Sequence, residues 1–246
     1  MGVVWWKFVV IILFGYLMGN IFFGKIIARI KKLDLSKSSG NPGTMNMLRN
    51  YGVGMGTLTL LLDCLKGVIP AVAGFYLFND FDNIQHIGAA LSDANAHCYL
   101  GLYLGGLGAL IGGIWPVFYK FKGGKGAATI YGMYLVADWK LGLIIFGIGI
   151  LWLLLMDYGS LASFTMVTVY TVVQGTKAYQ LTDGLVLSII LFVIFALMWF
   201  AFRSNIFRLL IGKENKINFI EGIRKKLRKK RIEKIEAKAR DSNELG

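Results

Sequence analysis

Residues 185–202 read LVLSIILFVIFALMWFAF, a run of 18 positions without one ionisable side chain. At a rise of about 1.5 Å per residue such a run is about 27 Å long as a helix, close to the ~30 Å hydrocarbon core of a bilayer. It is apolar all the way round rather than on one stripe, so it belongs in lipid. In that solvent every backbone N–H and C=O must be satisfied within the segment, which makes helix the natural conformation. Val3 to Phe23 forms a second such run, interrupted only by Lys7. It is too long for a signal-peptide core, and no small-residue cleavage site precedes the charged loop after it. It therefore reads as a helix of the mature protein.

The rest of the chain fits the same class. Of 246 residues, 56% are hydrophobic and 17% charged, and the mean hydropathy is +0.59. A soluble domain could not hide that much apolar surface. Hydrophobic segments at about 3–24, 53–77, 98–118, 126–137, 141–156, 160–175 and 184–202 predict an all-α integral membrane protein of about seven transmembrane helices. Residues 1–202 form the polytopic membrane domain and 203–246 a basic juxtamembrane tail. Many of the 31 glycines fall inside the segments, as in Gly101, Gly105, Gly106, Gly108, Gly112 and Gly113. Small residues let helix backbones approach in lipid, so this run reads as a contact surface between helices.

Charge sets the expected orientation. The net charge is +13. Lys25, Arg29, Lys31, Lys32, Lys37 and Arg49 follow the first segment, and Lys120, Lys122 and Lys125 follow the third. Arg224 to Arg231 is almost wholly basic. The loop at 78–97 instead carries Asp80, Asp82 and Asp93. The positive-inside rule then puts the basic loops and the C-terminus in the cytoplasm, and the N-terminus and the acidic loop outside. The tail reads as an anchor on anionic headgroups, each basic residue adding about 1 kcal/mol. It has no aromatic platform for bases, so nucleic acid is not expected as a partner. Cys64 and Cys98 read as small core residues. His86 and His97 have no third ligand at metal spacing, so no metal or cofactor is expected.

Three segments on the basic side are equipped for anions. In Ser38-Ser39-Gly40-Asn41-Pro42-Gly43-Thr44-Met45-Asn46-Met47-Leu48-Arg49 the glycines allow close backbone approach, Ser39 and Asn41 supply small donors, and Arg49 can fork onto phosphate oxygens. The same stretch can equally be a turn before a helix capped by Thr44 or Asn46. Lys120-Phe121-Lys122-Gly123-Gly124-Lys125-Gly126-Ala127-Ala128-Thr129 runs into a helix, and N–H groups, a helix N-terminus and a lysine together make a phosphate cradle. It lacks the spacing and the preceding strand of a Walker A loop. In the stretch from Arg203 to Lys216, Asn205 and Arg208 share a helix face, although spacing alone favours simple anchoring. Asp63 and Lys66, three apart in an apolar segment, read as a mutually neutralising pair that helps orient these loops.

As a set, these motifs resemble the PlsY family of acyl-phosphate:glycerol-3-phosphate acyltransferases. The resemblance rests on Ser39-Gly40-Asn41-Pro42-Gly43 with Asn46 and Arg49, Asp63-x-x-Lys66-Gly67, Pro116-Val117-Phe118 leading into Phe121 to Thr129, Tyr158-x-Ser160-Leu161-x-Ser163, and Asn205-Ile206-x-Arg208-Leu209. It implies a bacterial inner-membrane enzyme that moves an acyl group from acyl phosphate to glycerol 3-phosphate, giving lysophosphatidic acid for phospholipid synthesis. Carried over, Ser39, Asn41, Arg49, Lys125 and Asn205 are the implied catalytic, phosphate-holding residues. Gly40, Gly43, Asn46, Gly123, Gly124, Gly126, Ser160 and Arg208 are implied to bind substrate, with Ser160 near the donor. Two anionic substrates suit a cationic pocket at headgroup level, where positioning and charge stabilisation need no Ser-His-Asp set.

Three positions depart from the family pattern. Gly113 and Phe202 stand where the family has histidines, and Ser38 where a glycine is usual. Phenylalanine can neither donate a hydrogen bond nor carry charge, and Arg203 is the neighbour that would have to substitute for it. The other readings are a non-catalytic paralogue that binds phospholipid precursors and a transporter of a phosphorylated small molecule. A transporter built from two related halves would show an internal repeat, and none is visible.

Overall fold

The computed structural model describes residues 5–34, 43–79, 86–87, 91–182 and 184–217, and every regular element among them is helical. In chain order these are α1 (Trp5–Gly19), α2 (Phe23–Ile30), α3 (Thr44–Tyr51), α4 (Val53–Leu77), α5 (Ala96–Ile114), α6 (Ala127–Ala137), α7 (Trp139–Met156), α8 (Gly159–Tyr179) and α9 (Gly184–Leu210). Single 3₁₀ turns at Asp93–Asn95 and Val117–Tyr119 flank α5.

Five stretches are long and apolar enough to cross a membrane: Trp5–Ile30, Val53–Leu77, Asp93–Tyr119, Trp139–Met156 and Gly184–Leu210. Two predicted segments fall short of that standard for different reasons. The α6 helix has only 11 residues. The α8 helix has 21, but Ser160, Ser163, Thr165, Thr168, Thr171, Gln174, Thr176 and Lys177 dilute its hydropathy.

Two boundaries differ from the sequence reading. The basic stretch after α1 contains a helix, α2, whose Gly24, Ile27 and Ala28 are buried while Arg29 and Ile30 are exposed. The α3 helix starts one residue early for a side-chain cap. Gly43 is its N-cap, in extended conformation and without a side-chain bond. Thr44 and Asn46 therefore lie inside the first turn, where their side chains are released from capping.

Helix α5 is the axis of the bundle, buried along most of its length and packed against α1, α4, α6 and α9. Its glycines allow the neighbours to come into backbone contact. A Cβ on Gly105 would lie 2.2 Å from the Pro70 carbonyl oxygen of α4, and one on Gly108 would lie 2.4 Å from that of Ile12 in α1. The α4–α6 seam is built alike, with Gly132 set against the Cys64 carbonyl. Around this axis Phe75, Tyr99, Tyr103, Leu110, Met133, Tyr170 and Ile194 are fully enclosed. The outward faces of α7 and α9 present Ile144, Leu151, Leu155, Leu185 and Phe192 to lipid. Because successive long helices alternate in direction, residues 20–25, 113–126, 156–160 and 203–217 gather with α3 at one end.

Replacing Gly105 by valine would drive a branched side chain into the α4 backbone. Overpacking of this kind costs about 1–3 kcal/mol, and a clear drop in the thermal midpoint in detergent is expected. Gly147→Ala, where a Cβ meets nothing within 4 Å, should leave the midpoint unchanged. A Gly105→Val midpoint equal to that of the parent protein would show that this seam carries no stability.

Candidate functional site

At the end of the bundle where α3 and the loops before α6 and after α9 converge lies a cavity of about 370 Å³. Four cations line it, Arg49, Lys66, Lys125 and Arg208, and Lys66 is the one paired with a carboxylate of its own helix, Asp63.

The loop before α6 is built by backbone constraints. Lys120 and Phe121 are left-handed, and Gly126 is too, at φ 74°. Gly124 N–H donates to the Gly113 carbonyl at 2.9 Å. A Cβ on Gly123 would sit 2.2 Å from that same oxygen. Gly123 thus seats the loop on the end of α5 and does not line the cavity, whereas Gly124, Lys125, Gly126, Ala127, Ala128 and Thr129 do. The first turn of α6 therefore borders the cavity, and its leading N–H groups have no carbonyl within the helix to bond.

A carboxylate organises the opposite wall. Glu214 Oε1 accepts hydrogen bonds from Ser160 Oγ at 2.7 Å and Asn205 Nδ2 at 2.6 Å, and Oε2 accepts from Arg208 Nε at 2.8 Å. Its side chain is only 6% exposed. Burial pushes the Glu214 pKa up, but the bonds from Ser160, Asn205 and Arg208 outweigh it and hold the carboxyl below the usual range. The segment carrying Glu214 is itself tied down. Arg49 donates to the carbonyls of Asn215 (Nη2, 3.1 Å) and Lys216 (Nε, 3.2 Å), and Ile217 N–H donates to the Asp157 carbonyl. Ile217 also joins a small apolar cluster with Leu153 and Ala162.

Several polar atoms on this wall are buried with no hydrogen-bond partner among the described residues, namely Thr44 Oγ1, Asn46 Nδ2 and Asn205 Oδ1. Asn46 Oδ1 already accepts from Asn50 Nδ2, which leaves its amide donor for a ligand. Asn205 uses its donor on Glu214 and leaves its acceptor, which suits a hydroxyl. Buried groups of this kind are costly unless a ligand or ordered water meets them.

Lys125 is held in an unusual state. Burial lowers its pKa to about 8; Glu214 offsets part of that, and Arg208 and Arg49 add to the lowering. Its Nζ stands 5.0 Å from the ring centroid of Phe202. That ring is 2% exposed and tilts against Phe164. Phe202 thus fills its position as a buried aromatic floor under the lysine. Arg203 does not substitute there. It is exposed, donates to the Phe200 carbonyl and lies over the Phe200 ring, 4.0 Å from its centroid. Gly113 lines the cavity, and a Cβ there would meet nothing nearer than 3.9 Å.

Of the sequence-derived candidates, the cavity brings together Gly43, Asn46, Arg49, Gly124, Lys125, Gly126, Ser160, Asn205 and Arg208. Ser39, Gly40 and Asn41 lie outside the described residues. Asp63 and Lys66 pair at 2.9 Å and line the cavity on α4. Among the described residues no group of three metal-ligating side chains occurs, and neither His86 nor His97 lines the cavity. Glu214 escaped the sequence reading. Its one signal was a lone carboxylate between Lys213 and Lys216 in a strongly basic stretch.

A family model described as glycerol-3-phosphate acyltransferase matches residues 9–212. A glycerol-3-phosphate acyltransferase of Halalkalibacterium halodurans is 37% identical over 82% of this chain and 92% of its own length. The one from Aquifex aeolicus is 33% identical over 85% of this chain and 99% of its own. Among solved structures, the glycerol 3-phosphate form of PlsY, an integral membrane glycerol 3-phosphate acyltransferase, superposes with a TM-score of 0.71 at 32% identity, covering 88% of this chain and 98% of that one. The lysophosphatidic acid form gives 0.69, also at 32% identity.

Because the Lys125 ammonium is the group that titrates, anion affinity should hold below pH about 8 and fall above it, approaching tenfold per pH unit. Calorimetric titration with sulfate, whose charge is constant over this range, reads the effect. Lys125→Arg keeps its charge and should flatten the fall. A parent profile flat to well above pH 8 would exclude Lys125 from the anion contact.

Proposed function

The chain belongs to the glycerol-3-phosphate acyltransferase family, and we propose that it transfers an acyl group from acyl phosphate to glycerol 3-phosphate, forming lysophosphatidic acid and releasing inorganic phosphate. The observation that carries this reading is a single cavity whose mouth holds Arg49, Lys125 and Arg208 and whose interior is apolar, lined by Ile145, Phe146, Met166 and Val167. Two phosphates can be held at the mouth while an acyl chain lies among the helices.

The residues divide the work by chemistry. Lys125, Arg49 and the first-turn N–H groups of α6 bind phosphate oxygens and offset their mutual repulsion. Asn205 Oδ1 accepts from a glycerol hydroxyl and Asn46 Nδ2 donates to the ligand. Glu214 positions Ser160, Asn205 and Arg208 through the three bonds already described. Attack by the acceptor hydroxyl on the acyl carbonyl forms the new ester C–O bond. The C–O bond to the donor phosphate then breaks, and that phosphate carries away the hydroxyl proton. Catalysis then rests on orientation and on charge placed in advance in a dry site. Ser39, Gly40 and Asn41 complete the phosphate site in this reading, on the strength of the family motif.

We further infer seven crossings, including α6 and α8, with the N-terminus outside and the site on the cytoplasmic face of a bacterial inner membrane. The grouping of Lys25, Lys120, Lys122 and Lys125 at the site end supports this orientation.

Purified protein given acyl phosphate and glycerol 3-phosphate should yield lysophosphatidic acid, and no product from the parent chain would overturn the reading. Arg49→Ala and Lys125→Ala should each lower kcat/KM by about 10²-fold or more. Glu214→Gln keeps the shape but loses the charged acceptor, and a fall of roughly ten- to a hundredfold is expected. Phe202→His should lower kcat/KM as well, since an imidazole gives up the aromatic contact with Lys125; a rise would show that phenylalanine is a handicap there. In inverted vesicles a membrane-impermeant maleimide should label Lys122→Cys, whereas the buried Cys64 and Cys98 should stay silent. Labelling only from the other face would reverse the topology.

A further inference from the structure

The apolar interior of the cavity has a definite inner end. On α8 its lining runs from Gly159 to Tyr170, and on α6 from Ala127 to Tyr134. Ten residues of helix separate Ser160 from Tyr170, so the arm reaches about 15 Å from the polar mouth. That is about half of the ~30 Å hydrocarbon core, the depth of one leaflet and hence of one acyl chain. No residue beyond Tyr170 on α8 or beyond Tyr134 on α6 lines the cavity.

The two tyrosines form the end wall. Their rings stack with centroids 3.7 Å apart and planes 10° from parallel, and both side chains are buried, at 2% and 0% exposed. Behind them lies a hydrogen-bonded polar layer. Tyr134 Oη and Thr171 Oγ1 are 2.6 Å apart, and Tyr170 Oη donates to the Tyr134 carbonyl at 2.9 Å. Gln174 Nε2 donates to Tyr170 Oη and to Asp138 Oδ2, and Lys177 closes the layer with an ion pair to the same carboxylate. A chain pushing past the rings would have to break buried hydrogen bonds and place methylenes against them. Both are unfavourable, whereas methylenes short of the rings are buried in apolar surroundings.

We propose that the stacked Tyr134–Tyr170 pair is the end stop that sets the longest acyl chain the donor can carry. This rests on the acyltransferase reading above. Each methylene short of the wall adds affinity, by about fourfold at the usual transfer energy, and each one beyond it adds none. Tyr134 and Tyr170 are thus specificity-determining residues, distinct from the cations that handle phosphate at the mouth.

The test is the chain-length profile of kcat/KM over saturated acyl phosphates increasing one step at a time. Val167→Phe fills the arm short of the wall and should move the optimum to shorter chains. Tyr170→Ala opens the wall and should move it to longer ones. Val172→Phe, on the same helix but 58% exposed and outside the cavity, should leave the profile as it is. If Tyr170→Ala does not fold, Val167→Phe decides alone. Active variants that keep the parent optimum would overturn the end stop while leaving the acyltransferase reading intact. If the parent chain turns over no donor of any length, that reading falls first. The arm is then read by the thermal shift given by lysophosphatidic acids of graded length, where a parent shift that keeps growing with chain length, without a plateau that Val167→Phe displaces, overturns it.

Discussion

Backbone contact between helices is the constraint from which the rest of this structure follows. In lipid there is no gain from moving apolar side chains away from water, so helices are held by dispersion at short range. At Gly105, Gly108 and Gly132 a carbonyl oxygen of the neighbouring helix takes the place a Cβ would need. Helices α1, α4 and α6 are thereby locked in register around α5, and the short α6 is fixed in depth. That depth brings its first turn to the cavity mouth and its last turn to the tyrosine stack. A polar site inside a bilayer needs such a frame, since its own groups repel one another and cannot hold it together.

The electrostatics of the mouth reflect this dependence. Three cations are crowded against one buried carboxylate, and burial has already weakened the hold of Lys125 on its proton. Such a site carries unspent cationic charge, and a phosphate dianion relieves the repulsion on entering. The carboxylate prevents collapse of a different kind. Without an acceptor at Glu214, the donors of Ser160, Asn205 and Arg208 would compete for the same phosphate oxygens. With it they are held apart, and the Asn205 carbonyl oxygen remains for a hydroxyl.

What could be read from the residues alone follows from the range of the forces involved. The apolar runs of α1, α4, α5, α7 and α9 state their solvent within a single window of sequence. The α8 helix is harder to read because its serines and threonines satisfy themselves locally, as Ser163 does by donating to the Gly159 carbonyl. The amphipathic α2 was hidden within what looked like a basic loop. Arg49 and Lys125 could be singled out because phosphate chemistry restricts residue type and glycine spacing, whereas Asn205 stood out only through the family motif. Glu214 and the Tyr134–Tyr170 pair could not. Their meaning lies in partners 54 and 36 positions away, and neither an acid in a basic stretch nor a tyrosine in an apolar helix announces a distant partner.

The return of residues 213–217 to the mouth has a consequence for synthesis. Arg49 meets its carbonyl partners across separations of 166 and 167 residues, and Glu214 closes onto Ser160 and Asn205 only after α9 is in place. At about 5–20 residues per second, that interval is on the order of ten to thirty seconds of translation. Throughout it the helices can insert and find their glycine seams while the anion site stays unassembled. A chain cut short before Glu214 therefore carries the scaffold without the constellation, so residues 213–217 act as the closing step of the site.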